Sequence, residues 1–192
     1  QKRPALMSIL KMTAAPDVGG DTMWTDLVAA FKALSKPMQD LCSSITALHD
    51  ASPHMHPEKM MIHPVVRKHP DTGEAVLYVN EHFTRRIVEL SHEESEQLLS
   101  FLTKWVQKPD FSVRYKWSKN TIAIWDNRST QHFVVNNFEG ERIIQRVTVT
   151  GDVIEPFGEI NHDAWTNHNK FSAKSRNDLQ LIGYLDSQRE EH

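Results

Sequence analysis

The sequence has little cysteine, no long apolar run and no excess of one charge. Its single cysteine, Cys42, cannot form a disulfide within the chain, which favours a reducing compartment and predicts a cytoplasmic protein. No apolar run approaches the roughly 20 residues that a membrane-spanning helix needs. The 22 Lys and Arg residues against 25 Asp and Glu give a net charge of -3, so we expect neither nucleic acid nor an anionic membrane as partner.

The motifs of several enzyme classes are also lacking. There is no Gly-x-Ser-x-Gly, no phosphate-binding loop and no Cys-x-x-Cys. Cys42 falls between the apolar positions of a predicted helix and has no basic neighbour, so we do not expect a reactive thiol. Nucleophilic catalysis therefore has little support.

What remains is typical of a globular domain, with 192 residues, 39% of them hydrophobic and 24% charged. Hydrophobic periodicity predicts helices at 24–34, 37–48, 91–106 and 178–185. It predicts strands at 5–10, 63–68, 75–79, 111–117, 121–125, 130–135 and 142–150, and a loop at 50–62. The closely spaced late strands indicate a mainly β protein with helices packed outside, in residues 1–152. Residues 153–192 are predicted to be a polar C-terminal extension.

The last predicted strand carries two arginines on one face. Side chains alternate between the faces of a strand, so Arg142, Ile144 and Arg146 point the same way. On a solvated face the two arginines would be ordinary surface charges. If the face lines a barrel, two buried guanidinium groups need anionic partners, which ligands could supply.

Histidines are plentiful, at 11, so metal binding has to be considered. Three local pairs have the His-x-Asp or His-x-Glu form of an iron-binding facial triad: His56 with Glu58, His69 with Asp71, and His92 with Glu94. Each pair has a simpler explanation, in a loop, in a turn and in a helix cap, respectively. His132, on the strand before Arg142, is by itself also read most simply as a structural residue.

Five blocks taken in order make the sequence recognisable. They are GGDTMW (19–24), HPVVR (63–67), YVNEHFTRRIV (78–88), IWDNRSTQH (124–132) and RIIQRVT (142–148). Together they resemble the taurine dioxygenase (TauD/TfdA-like) family of iron(II)- and 2-oxoglutarate-dependent dioxygenases over residues 4–152. The Thr-Gln-His and Arg-x-x-x-Arg elements are most similar to the sulfonate and alkylsulfate members.

The resemblance implies a double-stranded β-helix, or jelly roll, with outer helices. It implies Fe(II), 2-oxoglutarate and O2 as cofactor and co-substrates. By resemblance, His132 is an iron ligand, Thr22 and Arg142 hold the far carboxylate of 2-oxoglutarate, Arg146 faces the substrate anion, and Phe83 lines the substrate pocket. The implied reaction hydroxylates the carbon next to a sulfonate or sulfate ester, giving aldehyde and sulfite or sulfate together with succinate and CO2.

One expected element is not in this sequence. The family's His-x-Asp iron ligands would lie just before Gln1, so we expect an N-terminally incomplete jelly roll that is inactive alone. The alternatives are a catalytically inactive homologue that acts as an anion-binding or interaction protein, and a β-rich fragment without a ligand. The exact substrate stays open, as does the oligomeric state, although edge strands and outer helices could form a homo-oligomer.

Overall fold

The computed structural model describes residues 2–160 and 176–190. Within them the strands are β1 Ala5–Ala14, β2 Thr22–Asp26, β3 Thr46–Ala51, β4 His56–Pro64, β5 Val66–Lys68, β6 Ala75–Leu77, β7 Thr84–Ile87, β8 Ser112–Tyr115, β9 Ile122–Asp126, β10 Thr130–Val134 and β11 Ile143–Thr150. The α-helices are α1 Leu27–Lys32, α2 Lys36–Ser43, α3 His92–Val106 and α4 Arg176–Glu190.

Two three-stranded antiparallel sheets form the centre of the fold. One has the order β11-β1-β9 and the other the order β10-β2-β8. Their facing sides meet through aromatic residues, with the rings of Trp24 and Trp125 5.4 Å apart. Leu10, Met12 and Trp117 complete this apolar cluster. The arrangement agrees with the predicted jelly roll and places β2, β10 and β11 around one interior.

A third sheet, of order β4-β3-β7, and the β5-β6 hairpin carry the helices. Leu27 and Phe31 of α1, together with Leu34, are buried as the periodicity predicts. They pack with Leu102 of α3 and with the apolar hairpin in the largest cluster of the core. The capping box that begins α3 is present, because Ser91 and Glu94 each bond the other's backbone.

The C-terminal helix α4 is docked by an ionic contact and an apolar one. Asp178 is buried between Arg86, at 2.5 Å, and His92, at 2.6 Å. Leu181 is fully buried in a cluster with Leu48 of β3. The helix is longer than the predicted 178–185 and forms part of the packed structure, although the division at residue 152 stays a prediction.

Several predicted boundaries were wrong. Residues 22–26 form strand β2 rather than the start of a helix, and Asp26 caps α1. The predicted helix at 37–48 ends at Ser43, and its last residues belong to β3. The predicted loop at 50–62 contains β4. Residues 22–26 are a strand because β2 pairs with β10, and the predicted loop contains a strand because β4 pairs with β3. A local sequence pattern does not contain these pairings.

The buried face of α2 also differs from the prediction. Leu41 is 39% exposed, whereas Cys42, expected between the apolar positions of the helix, is completely buried in the main core cluster. Burial raises the pKa of the Cys42 thiol to about 12, so the thiolate is disfavoured.

Among the described residues no helix is long and apolar enough to cross a bilayer.

Candidate active site

Arg142, just before β11, forms a polar corner with Thr22 at the start of β2. Its Nε donates to the carbonyl oxygen of Gly20 at 3.0 Å, and its Nη2 lies 3.5 Å from Thr22 Oγ1. The indole of Trp117 donates to the same hydroxyl at 2.9 Å. No carboxylate pairs with Arg142 within residues 2–160 and 176–190. The corner is therefore a set of donors without an anion, and partial burial lowers the pKa of Arg142.

The loop before β2 lets the backbone approach this arginine closely. Gly20 has φ +68°, in the left-handed region that favours glycine. A Cβ at Gly20 would lie 3.1 Å from Cδ of Arg142. The glycine therefore leaves room for the guanidinium and turns its own carbonyl toward Nε.

His132 lies near the middle of β10, directly opposite Trp24 of β2. Its ring is 4.8 Å from that of Trp125, which comes from the facing sheet. Burial, and then the positive charge of Arg146, lower the pKa of His132. The imidazole is thus neutral at pH 7, which is the form that binds a metal ion.

Arg146 shares the inner face of β11 with Ile144, as strand alternation predicts. In the register with β1, Arg146 lies opposite Leu10 and Ile144 opposite Met12, both of which point into the core. The Arg146 side chain is exposed and its Nε lies 3.4 Å from Thr148 Oγ1. Its charge acts on His132 while Arg142 faces Thr22, so the two arginines have different neighbours.

Phe83 lies in a different setting, on the turn before β7 in the third sheet. It is half-buried, with ring contacts to His82 at 4.6 Å and to His54 at 5.5 Å. Its backbone carbonyl accepts from Asp50 N at 3.0 Å. The structure thus brings Thr22, Arg142, His132 and Arg146 around the two central sheets, and it attaches Phe83 to a neighbouring sheet. The assignment of Phe83 to the substrate pocket stays a prediction.

The turn from β9 to β10 is held by an ionic network. Asp126 accepts from Nε and Nη2 of Arg128, and Nε2 of His69 lies 3.2 Å from Asp126 Oδ2. Arg128 also reaches Asp71 at 2.7 Å. Burial opposes ionisation of Asp126, but the bonds from Arg128 lower its pKa overall. Because His132 follows this turn, the network fixes where β10 begins, and His69 with Asp71 is part of it.

The aromatic surroundings of the site were not predicted from the sequence. Trp24, Trp117 and Trp125 lie around Thr22 and His132. A strand prediction at 22–26 would have placed Trp24 on the face of Thr22, since the two residues are two apart. The helix expected from residue 24 concealed this relation.

The site fits a dicarboxylate better than it fits a metal ion. Arg142, which has no carboxylate partner among the described residues, and the Thr22 hydroxyl are suited to one carboxylate. For iron, His132 offers one imidazole, and no three His, Cys, Asp or Glu side chains converge anywhere in the described part of the chain. These residues alone do not make a facial triad.

Comparisons with known proteins agree with the predicted family. Residues 1–148 match the model of the family described as "Taurine catabolism dioxygenase TauD, TfdA family". The alpha-ketoglutarate-dependent sulfonate dioxygenase of Saccharomyces cerevisiae is 38% identical over 149 residues, covering 71% of this chain and 36% of the yeast protein. The alpha-ketoglutarate-dependent sulfate ester dioxygenase of Pseudomonas putida is 35% identical, covering 76% of this chain and 55% of that protein. The chain thus spans about half or less of the length of these relatives.

Solved structures confirm the fold. The crystal structure of a taurine dioxygenase from Burkholderia xenovorans superposes with a TM-score of 0.77 at 38% identity, covering 82% of this chain and 57% of that one. AAD-2 in complex with Mn(II) and N-oxalylglycine gives a TM-score of 0.73 at 26% identity, covering 83% and 68%. The predicted mainly β fold with outer helices, of the jelly-roll type, is therefore confirmed.

Proposed function

The chain belongs to the taurine catabolism dioxygenase TauD, TfdA family, and from that membership we propose that it carries the anion-binding part of a 2-oxoglutarate-dependent dioxygenase site. The proposed substrate is a small sulfonate or sulfate ester, as in the names of the yeast and Pseudomonas relatives. The observation that supports this most is the Arg142 corner, a cation with hydroxyl and indole neighbours but no carboxylate partner in residues 2–160 or 176–190.

In this proposal Arg142, just before β11, and Arg146, within β11, bind two different anions. Arg142 and the Thr22 hydroxyl bind the far carboxylate of 2-oxoglutarate, and the Trp117 indole orients that hydroxyl. Because Trp117 donates to Thr22 Oγ1, the hydroxyl hydrogen is left to point elsewhere, toward a bound carboxylate. Arg146, four residues further and on the same face, binds the sulfonate or sulfate group.

His132 is the proposed iron ligand, and its environment suits that role. The ring is packed against Trp125 and is kept neutral by burial and by Arg146, so its nitrogen lone pair is available. Iron, when bound together with 2-oxoglutarate and O2, supplies the oxidising chemistry of this family. The indoles of Trp24 and Trp125 restrict water at the same place.

Calorimetric binding of 2-oxoglutarate and, separately, of taurine to the full 192-residue chain tests the proposal. Arg142→Met should weaken 2-oxoglutarate binding by at least about tenfold, because hydrogen bonds to a charged group are lost. Arg146→Met should weaken taurine binding and leave 2-oxoglutarate affinity within about twofold. Lys11→Met, which removes an exposed charge from the outer face of β1, is the matched control and should change neither affinity. Unchanged 2-oxoglutarate affinity in Arg142→Met would contradict the proposal.

A further inference from the structure

The indole N–H of Trp24 has no acceptor in the part of the chain that the structure describes. Its Nε1 atom is closed to solvent and makes no hydrogen bond. Tryptophan N–H groups nearly always find a partner when buried, and an unmade bond is costly. The nearby rings of Tyr115 and Trp125, at 6.4 and 5.4 Å between centroids, are at most weak acceptors for an N–H group. The group therefore lacks a partner of ordinary strength.

The position of Trp24 indicates which ligand could supply an acceptor for its N–H group. Thr22 and Trp24 are two residues apart on β2, so their side chains share one face, roughly 7 Å apart along the strand. Across the sheet, Trp24 lies directly opposite His132. A molecule that extends from the Arg142 and Thr22 corner toward His132 therefore passes beside the Trp24 indole. Trp24 also packs against Trp117, which bonds the Thr22 hydroxyl, with the two rings 6.0 Å apart.

We propose that Trp24 Nε1–H donates a hydrogen bond to an oxygen of the dicarboxylate held at Arg142 and Thr22, and so is a further binding residue for the oxo-acid co-substrate. This inference rests on the proposed function, because it takes 2-oxoglutarate as the molecule at that corner. It adds the Trp24 indole as a third hydrogen-bond donor alongside Thr22 and Arg142, the two residues that the family resemblance assigns to 2-oxoglutarate. Since Nε1 is closed to water in the ligand-free chain, the ligand oxygen reaches it only with a small displacement of the surrounding side chains.

Amide and indole NMR spectra of the full chain, titrated with 2-oxoglutarate and with glutarate, test the inference directly. Trp24→Phe identifies the Trp24 indole resonance by its absence, and it keeps a ring in the core. In the wild type we expect the Trp24 Nε1–H resonance to move downfield and saturate along with the Arg142 Nε–H resonance. We expect Trp24→Phe to bind 2-oxoglutarate about tenfold more weakly. The matched control is Trp105→Phe, which loses a bond to Ala30 O on the outer helices and should bind normally.

The outcomes separate this inference from the proposed function. If Arg142 responds to 2-oxoglutarate while the Trp24 indole stays still, and Trp24→Phe binds as wild type, the Trp24 assignment is wrong and the proposed function stands. If neither resonance responds to either acid, both are wrong. Through-bond assignment of the Trp24 indole resonance in the wild type makes the titration decisive even if Trp24→Phe misfolds.

Discussion

The buried His49 of β3 gives this fold a calculable dependence on pH. His49 is 8% exposed, and its Nδ1 lies 3.4 Å from Thr84 Oγ1. The backbone N–H of Asn80 already donates to that hydroxyl, so the hydroxyl hydrogen is available to His49. His49 thus accepts at Nδ1 and carries its proton on Nε2, which has no partner among the described residues. Burial first, and then the neighbouring His63, lower the pKa of His49 to about 3.

The direction and size of this pH dependence follow from the difference in the His49 pKa between the folded and unfolded chain. In the unfolded chain His49 has the ordinary histidine pKa of 6.5. Between pH 6.5 and pH 3 it therefore binds a proton in the unfolded chain that it does not bind in the folded chain. Stability is therefore full above pH 6.5 and is lost as the pH falls toward 3. Between pH 7 and pH 5 this one group lowers the free energy of unfolding by about 2 kcal/mol.

Urea denaturation at pH 7 and pH 5 measures this loss. His49→Gln keeps a polar side chain that does not titrate, so its change between the two pH values should be smaller than that of wild type by about 2 kcal/mol. His56→Gln, at an exposed histidine, is the control and should show the wild-type change. If His49→Gln and wild type lose the same stability on acidification, the reasoning from burial is refuted.

Two further predictions concern the site loop and the C-terminal helix. Gly20→Ala should weaken 2-oxoglutarate binding, because the added Cβ meets the Arg142 side chain. Gly140→Ala is the control: it is also strained, at φ +88°, but its Cβ faces open space, so 2-oxoglutarate affinity should not change. Equal 2-oxoglutarate affinities of the two variants in calorimetry would contradict the proposed binding at Arg142 and Thr22. Asp178→Asn should cost about 3 kcal/mol in urea denaturation, because it breaks the buried pair with Arg86. The exposed pair of Lys36 and Asp40 predicts less than about 1 kcal/mol for Asp40→Asn, and comparable losses in the two variants would contradict that account.

The sequence predicted the late strands and the long helix well, because their periodicity is local. The stretch that became β10 and the capping box of α3 were found near their observed places. The stretch around Trp24 was assigned to a helix, since the apolar spacing of Leu27 and Phe31 extends into it. Only the pairing of β2 with β8 and β10 makes it a strand, and that contact is made between distant parts of the chain.

In the candidate site, too, local patterns were predicted and contacts between distant parts of the chain were not. Strand alternation placed Arg142 and Arg146 on one face; the register with β1 sets Arg146 opposite the buried Leu10, whereas Arg142 lies before β11, outside that register. Whether the face was buried or solvated could not be decided from the pattern, because burial depends on the opposite sheet. The contribution of Trp117 to Thr22, a bond between residues 95 positions apart, leaves no local signature at all.

The central claim is that the corner formed by Arg142 and Thr22 binds the carboxylate of an oxo-acid. A crystal structure of the 192-residue chain grown with 2-oxoglutarate tests it most directly. We expect a carboxylate in contact with both the Arg142 guanidinium and Thr22 Oγ1, with the rest of the molecule directed along Trp24 toward His132. Density for 2-oxoglutarate at another place, with this corner closed by protein groups, would contradict it.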